Sequence, residues 1–278
     1  MLNFFKRLVR SIQRQIAIVL AIADYDLDRK STGSSLGNWE GLINPMQMML
    51  FFIVMRVGFS FLRGQNRFAA GGSTDMYFNI VTFIASGFVL AFLFRNVAIK
   101  ALAGLKLRTP LYYSRIRPLD ILLALSLNDL RSLLTLSIAI LGLVSLFTWT
   151  FQFDSPGLAI SVYLLTVPMA IGFGLCVIFL AGLNKWVTKI IKRAIQRVLI
   201  FTSGIFFATF ELPPVTRPFV TWNPVLHAVE LFRYSLNNDY PIPDISFNYL
   251  AWCSLLTVGF SLVLYRTNES LLLESNDD

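Results

Sequence analysis

The stretch "SPGLAISVYLLTVPMAIGFGLCVIFLAGLN", residues 155–184, runs without a single charged side chain. A helix crossing the roughly 30 Å hydrocarbon core of a bilayer needs about 20 apolar residues, and this stretch exceeds that length. Two more charge-free windows lie at 76–94 and 245–265. Three such segments place the chain among integral membrane proteins, and composition agrees. Of 278 residues, 55% are hydrophobic and only 14% charged, outside the range of ordinary soluble domains.

Weaker spans appear on either side of these windows. Residues 132–153 follow Arg131 directly, and their helical pattern continues back to Pro118, so this helix begins before the membrane and runs long. Residues 41–62 form a span interrupted by Arg56. Residues 198–210 are uncharged but short, and they are lengthened by the snorkelling stems of Arg193 and Arg197. The expectation is an all-α membrane fold of six spans, over 41–62, 76–94, 120–150, 157–184, 194–212 and 246–265. The intervals between them are too short for a soluble domain, so residues 1–278 form a single transmembrane domain.

Lysine and arginine counts give the direction. With the N-terminus inside, the segments 1–40, 95–117, 185–197 and the tail after Tyr265 hold six, six, five and one basic residues, eighteen in all. The outer segments 63–75, 151–156 and 211–244 hold two, none and two, which makes four. The positive-inside rule then puts both termini in the cytoplasm. Trp149, Trp186, Trp222 and Trp252 fall at or near the expected span ends, where interfacial aromatics belong.

The first 30 residues allow two readings. Lys6, Arg7, Arg10 and Arg14 precede the apolar "IAIVLAIA", and Ala21-Ile22-Ala23 has the form of a signal-peptidase site. Cleavage would start residue 24 outside and invert the charge count. The preferred reading is an amphipathic helix on the inner leaflet, with Phe5, Val9, Ile12, Ile16 and Val19 in lipid and Lys6, Arg10 and Arg14 toward phosphates.

The chain has no G-x-x-x-x-G-K-[ST] phosphate loop and no H-E-x-x-H, and Cys176 and Cys253 sit inside apolar runs as small buried hydrophobes. It is therefore not expected to hydrolyse ATP, to bind a cofactor or to carry a metal. His227, the single histidine, and Glu230 stand three apart without a third ligand nearby, and a plain polar face explains them better. A membrane-embedded enzyme would need convergent carboxylates, but the sixteen acidic residues lie mostly in loops and the tail. A non-catalytic scaffold would not need Arg56 inside a span, since intramembrane charges are costly.

Three features remain. The basic segment 95–117, "RNVAIKALAGLKLRTPLYYSRIR", offers Lys106, Arg108, Tyr112, Tyr113, Arg115 and Arg117 as a docking surface for a cytoplasmic partner. Polar residues interrupt the spans at Arg56 and at Asn128, Asp129 and Arg131. Arg56, with Phe201, Phe206, Phe207 and Phe210 of "FTSGIFFATF", is the candidate lining of a translocation path, because aromatic faces let sugars slide and cations attract acidic groups. The third feature is the outer segment 213–244. Its six prolines rule out a continuous span and leave two short helices in or on the leaflet. One helix starts at the N-cap Asn223 with Pro224 in its first turn. It is expected to be amphipathic, with Val225, Val229, Phe232 and Leu236 on one side and a polar stripe of His227, Glu230, Tyr234 and Asn237 turned outward.

In these features the chain resembles the permease subunits of type-2 ABC exporters for surface polysaccharides, most closely the inner-membrane permeases of capsular polysaccharide export. "LPPVTRPFVTWNPVLHAVELFR" (212–233) is similar to that family's signature at Leu212, Pro213, Trp222, Asn223, Pro224, His227, Glu230, Leu231 and Arg233. "SFNYLAWCSLLTVGFSLVLYRT" (246–267) resembles its last span, and "SSLGNWEGLINP" (34–45) and "YYSRIRPLD" (112–120) agree more weakly. The acid-rich "ADYDLDRK" (23–30) departs from the mixed Arg/Glu/Arg element the family usually has there. The resemblance implies a homodimer joined to two ATP-binding cassette subunits that hold ATP and Mg. It also implies a periplasmic or outer-membrane export component, and transport of a lipid-linked anionic polysaccharide across the inner membrane of a Gram-negative bacterium. An O-antigen or other glycan exporter is the alternative within the same family, and nucleic acid is not an expected partner. Residues 222–233 would then belong to short helices capping the channel exit, with Trp222, Asn223, Pro224, His227, Glu230 and Arg233 at its surface.

Overall fold

A computed structural model describes residues 2–32, 40–62, 77–102, 116–148, 153–183 and 185–274. The described chain is helical: α1 Leu2–Thr32, α2 Glu40–Leu62, α3 Ile80–Leu102, α4 Pro118–Thr148, α5 Pro156–Leu183, α6 Lys185–Ala194, α7 Pro218–Thr221, α8 Pro224–Leu236 and α9 Phe247–Glu274. Among the described residues, three helices are long and apolar enough to cross a membrane, over Ile80–Ile99, Pro156–Phe179 and Phe247–Thr267.

These three occupy different environments. The apolar window of α3 is 78% buried and that of α9 only 17%, so α3 is the axis of the bundle and α9 a peripheral stave. Side chains explain the difference. Phe83, Phe88 and Phe92 of α3 are fully enclosed, and Phe88 and Phe92 stack at 3.8 Å. Trp252, Leu255, Leu256, Phe260 and Val263 of α9 instead form an exposed apolar face, which water would not tolerate and lipid does. Asn79 caps α3, accepting from the Thr82 amide at 2.8 Å. The helix does not stop at Arg95; it continues to Leu102, into the first part of the basic segment 95–117.

The N-terminal segment forms one helix whose second half docks on α4. Ile22 and Ala23 pack with Ala124, supported by Ile18, Val19, Ile116 and Leu127. A row of polar contacts flanks this seam. Asn128 donates to the Ala23 carbonyl at 2.9 Å and to Asp26 Oδ2 at 3.2 Å, Arg131 meets Asp24 at 3.0 Å, and Gln15 donates to Asp120. The acid-rich departure at 24–28 thus has partners on α4. Ala23 is fully buried in this seam. Lys6, Arg10 and Arg14 are exposed, as the amphipathic reading expects, but Ile16 is exposed too; Phe5, Val9 and Ile12 lie outside the described side chains.

The expected span over 194–212 is not one helix. After α6 the chain makes a π turn at Ile195–Leu199, ends its helix at Phe201 and turns through 202–208 into a short 3₁₀ segment at Thr209–Glu211. The cause is local. Thr202 and Ser203 bond back to the carbonyls of Val198 and Ile200 at 2.8 and 2.7 Å, as Thr166 and Thr257 bond back inside unbroken helices, and it is Gly204, at φ +77°, that ends the helix. Residues 213–244 do hold the two expected short helices, α7 and α8.

Candidate functional site

Helix α8 is the site's core. Asn223 caps it by accepting from the Val225 amide at 3.0 Å. Its amide nitrogen also donates to Thr202 Oγ1 at 2.8 Å, tying α8 to the point where the broken helix unwinds. The other end is held by Ser155, whose amide donates to the Ser235 carbonyl at 3.0 Å, and by Asp154, which accepts from the Asn238 amide at 2.9 Å. Both ends of α8 are therefore fixed to neighbouring elements.

The polar stripe does not face outward. His227, Glu230 and Arg233 are as buried as Val225, Val229 and Phe232 on the other side. This corrects the expectation for His227 and Glu230, which are buried, whereas Tyr234 and Asn237, the other two members of the stripe, are half-buried. Arg233 is completely enclosed, and its five N–H donors meet five acceptors. Nε donates to Ser86 Oγ at 3.4 Å. Nη1 donates to Glu230 Oε1 at 3.1 Å and to the Phe207 carbonyl at 3.4 Å. Nη2 donates to the Phe83 carbonyl at 2.9 Å and the Ile205 carbonyl at 3.5 Å. The guanidinium also lies 3.6 Å from the centroid of the Phe83 ring. One side chain thus joins α8, the first turns of α3 and the 205–208 turn.

Gly87 makes the approach possible, since a Cβ there would stand 2.8 Å from Arg233 Nη2 and 3.1 Å from the Ile205 Cα. Burial pushes the Glu230 carboxyl up, while the Arg233 charge works against that shift. Tyr240 lies beside the pair, and burial followed by the Glu230 charge pushes its phenol well above the usual range. The ring of Tyr240 packs edge-on against Tyr77 and Phe210, closing the site from the side.

His227 has a separate task. Its Nδ1 accepts the Ser246 amide at 3.0 Å, so the proton is on Nε2, which donates to the Thr221 carbonyl at 2.7 Å. Both nitrogens are engaged, which leaves neither for a metal. The ring lies 4.5 Å from that of Tyr249, whose hydroxyl donates to the Trp222 carbonyl at 2.6 Å. The imidazole staples the end of α7 to the start of α9. Burial lowers the His227 pKa, and the Thr221 carbonyl only partly restores it. The unfolded chain therefore binds this proton more readily than the folded one. The stability due to neutral His227 is complete above its ordinary pKa and declines as pH falls below it. Thermal unfolding in detergent should show a lower midpoint at about pH 5.5 than at about pH 7.5. His227→Phe should start lower and lose the part of this slope that the staple supplies; an unchanged slope would assign the effect elsewhere.

The aromatic candidates flank the turn at 202–208. Phe206 packs on Phe52 at 4.9 Å and Phe210 on Tyr77 at 6.0 Å, Phe207 is half-buried, and Phe201 is exposed. Phe201 and Phe206 meet across the turn, their rings 5.9 Å apart. Arg56 sits on α2, with its side chain outside the described residues; Lys106, Arg108, Tyr112, Tyr113 and Arg115 fall in 103–115, also outside them. Arg117 is exposed at the start of α4, where its amide donates to Asp120 at 3.0 Å. Trp222 is exposed, and Pro224 opens α8. Sequence reading missed Ser86, Gly87 and Tyr240. The adjacent Ser-Gly inside an otherwise large-residue span was the available signal for the first two.

No family model matches the chain. Among curated proteins it is 26% identical over 198 residues to the polysialic acid transport protein KpsM of Escherichia coli, covering 69% of this chain and 75% of that one. It is 22% identical over 258 residues to the capsule polysaccharide export inner-membrane protein BexB of Haemophilus influenzae, covering 92% and 93%. With CtrC of Neisseria meningitidis serogroup B, another capsule polysaccharide export inner-membrane protein, it shares 25% identity over 223 residues and 80% of each chain. Across most of its length, this chain is a homologue of the inner-membrane proteins of capsule polysaccharide export.

Proposed function

We propose that this chain is the permease subunit of an ATP-driven exporter that carries a lipid-linked anionic capsular polysaccharide across the inner membrane. The observation that carries this reading is the similarity to capsule export inner-membrane proteins over as much as 92% of the chain. Two copies form the pathway, and two ATP-binding cassette subunits on the cytoplasmic side hold ATP and Mg. A periplasmic or outer-membrane component receives the product. Both termini are cytoplasmic, in keeping with the charge asymmetry of the loops. The chain crosses six times, the fifth crossing being the helix that unwinds at 202–208. Helices α7 and α8 then lie at the periplasmic end, folded back against the bundle beside the exit.

The site's geometry supports a rigid structural role at that exit. Helix α8 is fixed at both ends and anchored in the middle by Arg233, so it moves only as a unit with α3 and the 205–208 turn. ATPase contact is assigned to the basic segment 98–117, with α1 beside it. The test is co-purification from a capsulated host in which the chromosomal permease is replaced. Reversing Lys106, Arg108, Arg115 and Arg117 to glutamate should release the ATPase and abolish surface polysaccharide while the membrane domain stays monodisperse. Full retention of the ATPase would reject the docking assignment, and normal capsule in a strain lacking this chain would reject the exporter reading.

A further inference from the structure

The helix that starts at Lys185 presents a two-row face that neither the ATPase contact nor α8 uses. Its inward side is set by Ile191 and Ile195, which pack with Ala98 and Val177, and by Ile200 in the main core. The steps between these residues are four and then five, and the π turn at Ile195–Leu199 absorbs the longer one. The rotation of the helix is thereby fixed over its whole length. On the opposite side Lys189, Arg193 and Arg197 are all exposed, at successive intervals of four. Beside them runs an exposed apolar row of Ile190, Val198 and Phe201.

A face that is half apolar and half cationic is poorly matched to water alone or to acyl chains alone. It matches the boundary where acyl chains meet phosphates. The three cations rise along the helix by roughly 12 Å, further than one headgroup layer requires for simple snorkelling. None of them has a carboxylate partner among the described residues. Two of the three are arginines, whose planar fork matches phosphate oxygens bidentately.

We infer that Lys189, Arg193 and Arg197 form a binding row for the phosphate of an anionic glycerophospholipid, whose acyl chains lie along Ile190, Val198 and Phe201. The row would hold such lipids against the helix that leads to the 202–208 break. This assignment needs the chain to be in a bilayer, but it needs neither the ATPase nor export, so it stands or falls separately from the exporter reading.

The test uses the full chain in phosphatidylcholine nanodiscs doped with either photoactivatable phosphatidylglycerol or photoactivatable phosphatidylcholine. Phosphatidylglycerol should label the 186–201 peptide in clear preference. Charge reversal by Arg193→Glu with Arg197→Glu should lower that labelling by roughly fivefold or more per cation, whereas Arg193→Lys with Arg197→Lys should largely keep it. If the reversed chain does not fold, Arg193→Gln with Arg197→Gln serves in its place. Equal labelling by the two lipids, or labelling indifferent to the substitutions, would overturn the inference. Excess inorganic phosphate should leave the labelling intact; displacement by it would make this a site for free phosphate and refute the lipid assignment.

Discussion

Arg233→Met should be the most damaging single substitution in the described structure. It removes the cation from a pair in which both side chains are fully enclosed, leaving Glu230 with a buried carboxylate and the carbonyls of Phe83, Ile205 and Phe207 without their donor. Breaking a buried pair from one side costs about 3–5 kcal/mol, a large part of the stability of an ordinary domain. The expected result is poor yield in the membrane, and a strongly lowered unfolding midpoint for whatever is recovered in detergent. Glu230→Gln combined with Arg233→Met should be less damaging than Arg233→Met alone, because the stranded charge is gone. A single variant that melts with the wild type would show that the pair does not hold α8.

Gly172→Leu should detach α9 from the bundle. A Cβ at Gly172 would already stand 3.1 Å from Ser261 Oγ, from the Thr257 carbonyl oxygen and from the Val258 Cα, two of them backbone atoms that have little room to yield. Between lipid-facing helices close packing, rather than exclusion of water, supplies the attraction, so a small residue at the crossing carries much of the contact. Nearby, Ser254 donates to the Leu165 carbonyl at 2.8 Å, a second tie that a displaced helix would lose. Overpacking of this kind costs about 1–3 kcal/mol, with loss of the α9 seam added to it. Gly172→Ala should be milder, since only one carbon must be accommodated. Protease sensitivity of the 237–246 connection and the unfolding midpoint report the effect, and wild-type values for Gly172→Leu would contradict the packing argument.

The apolar spans were legible in the sequence because membrane length and absence of charge are one-dimensional signals. The all-helical fold, the long helix entered at Pro118 and the pair of short helices after Leu212 all followed from periodicity, prolines and caps. What failed was the environment of α8. Periodicity showed that His227, Glu230 and Tyr234 recur at helical spacing, and a polar stripe ordinarily means water. Only the fold brings Ser86, Phe83 and the 205–207 carbonyls to Arg233, and these satisfied donors are what make burial affordable. The break inside 194–212 was hidden for a related reason: an apolar window gives no warning of a left-handed turn, and Gly204 ends the helix from within. Of the four phenylalanines expected along the path, Phe201 and Phe206 meet across the turn at 202–208, a contact that their spacing in the window does not show.

The seam between α1 and α4 carries a consequence for how the protein is made. The residues that meet there stand far apart in the chain: 105 positions separate Ala23 from Asn128 and 107 separate Asp24 from Arg131. At ordinary synthesis rates the first helix therefore leaves the ribosome about 5–20 s before its partner exists. During that wait Asp24 and Asp26 have no Arg131 or Asn128 to meet, and the helix can rest only where a basic, half-apolar segment is welcome, on the membrane surface. Docking then waits for α2 and α3 to be made as well as α4. The N-terminus, first to emerge, thus takes its final place only once α4 has been made, and a chain stalled before α4 would leave it exposed to proteases.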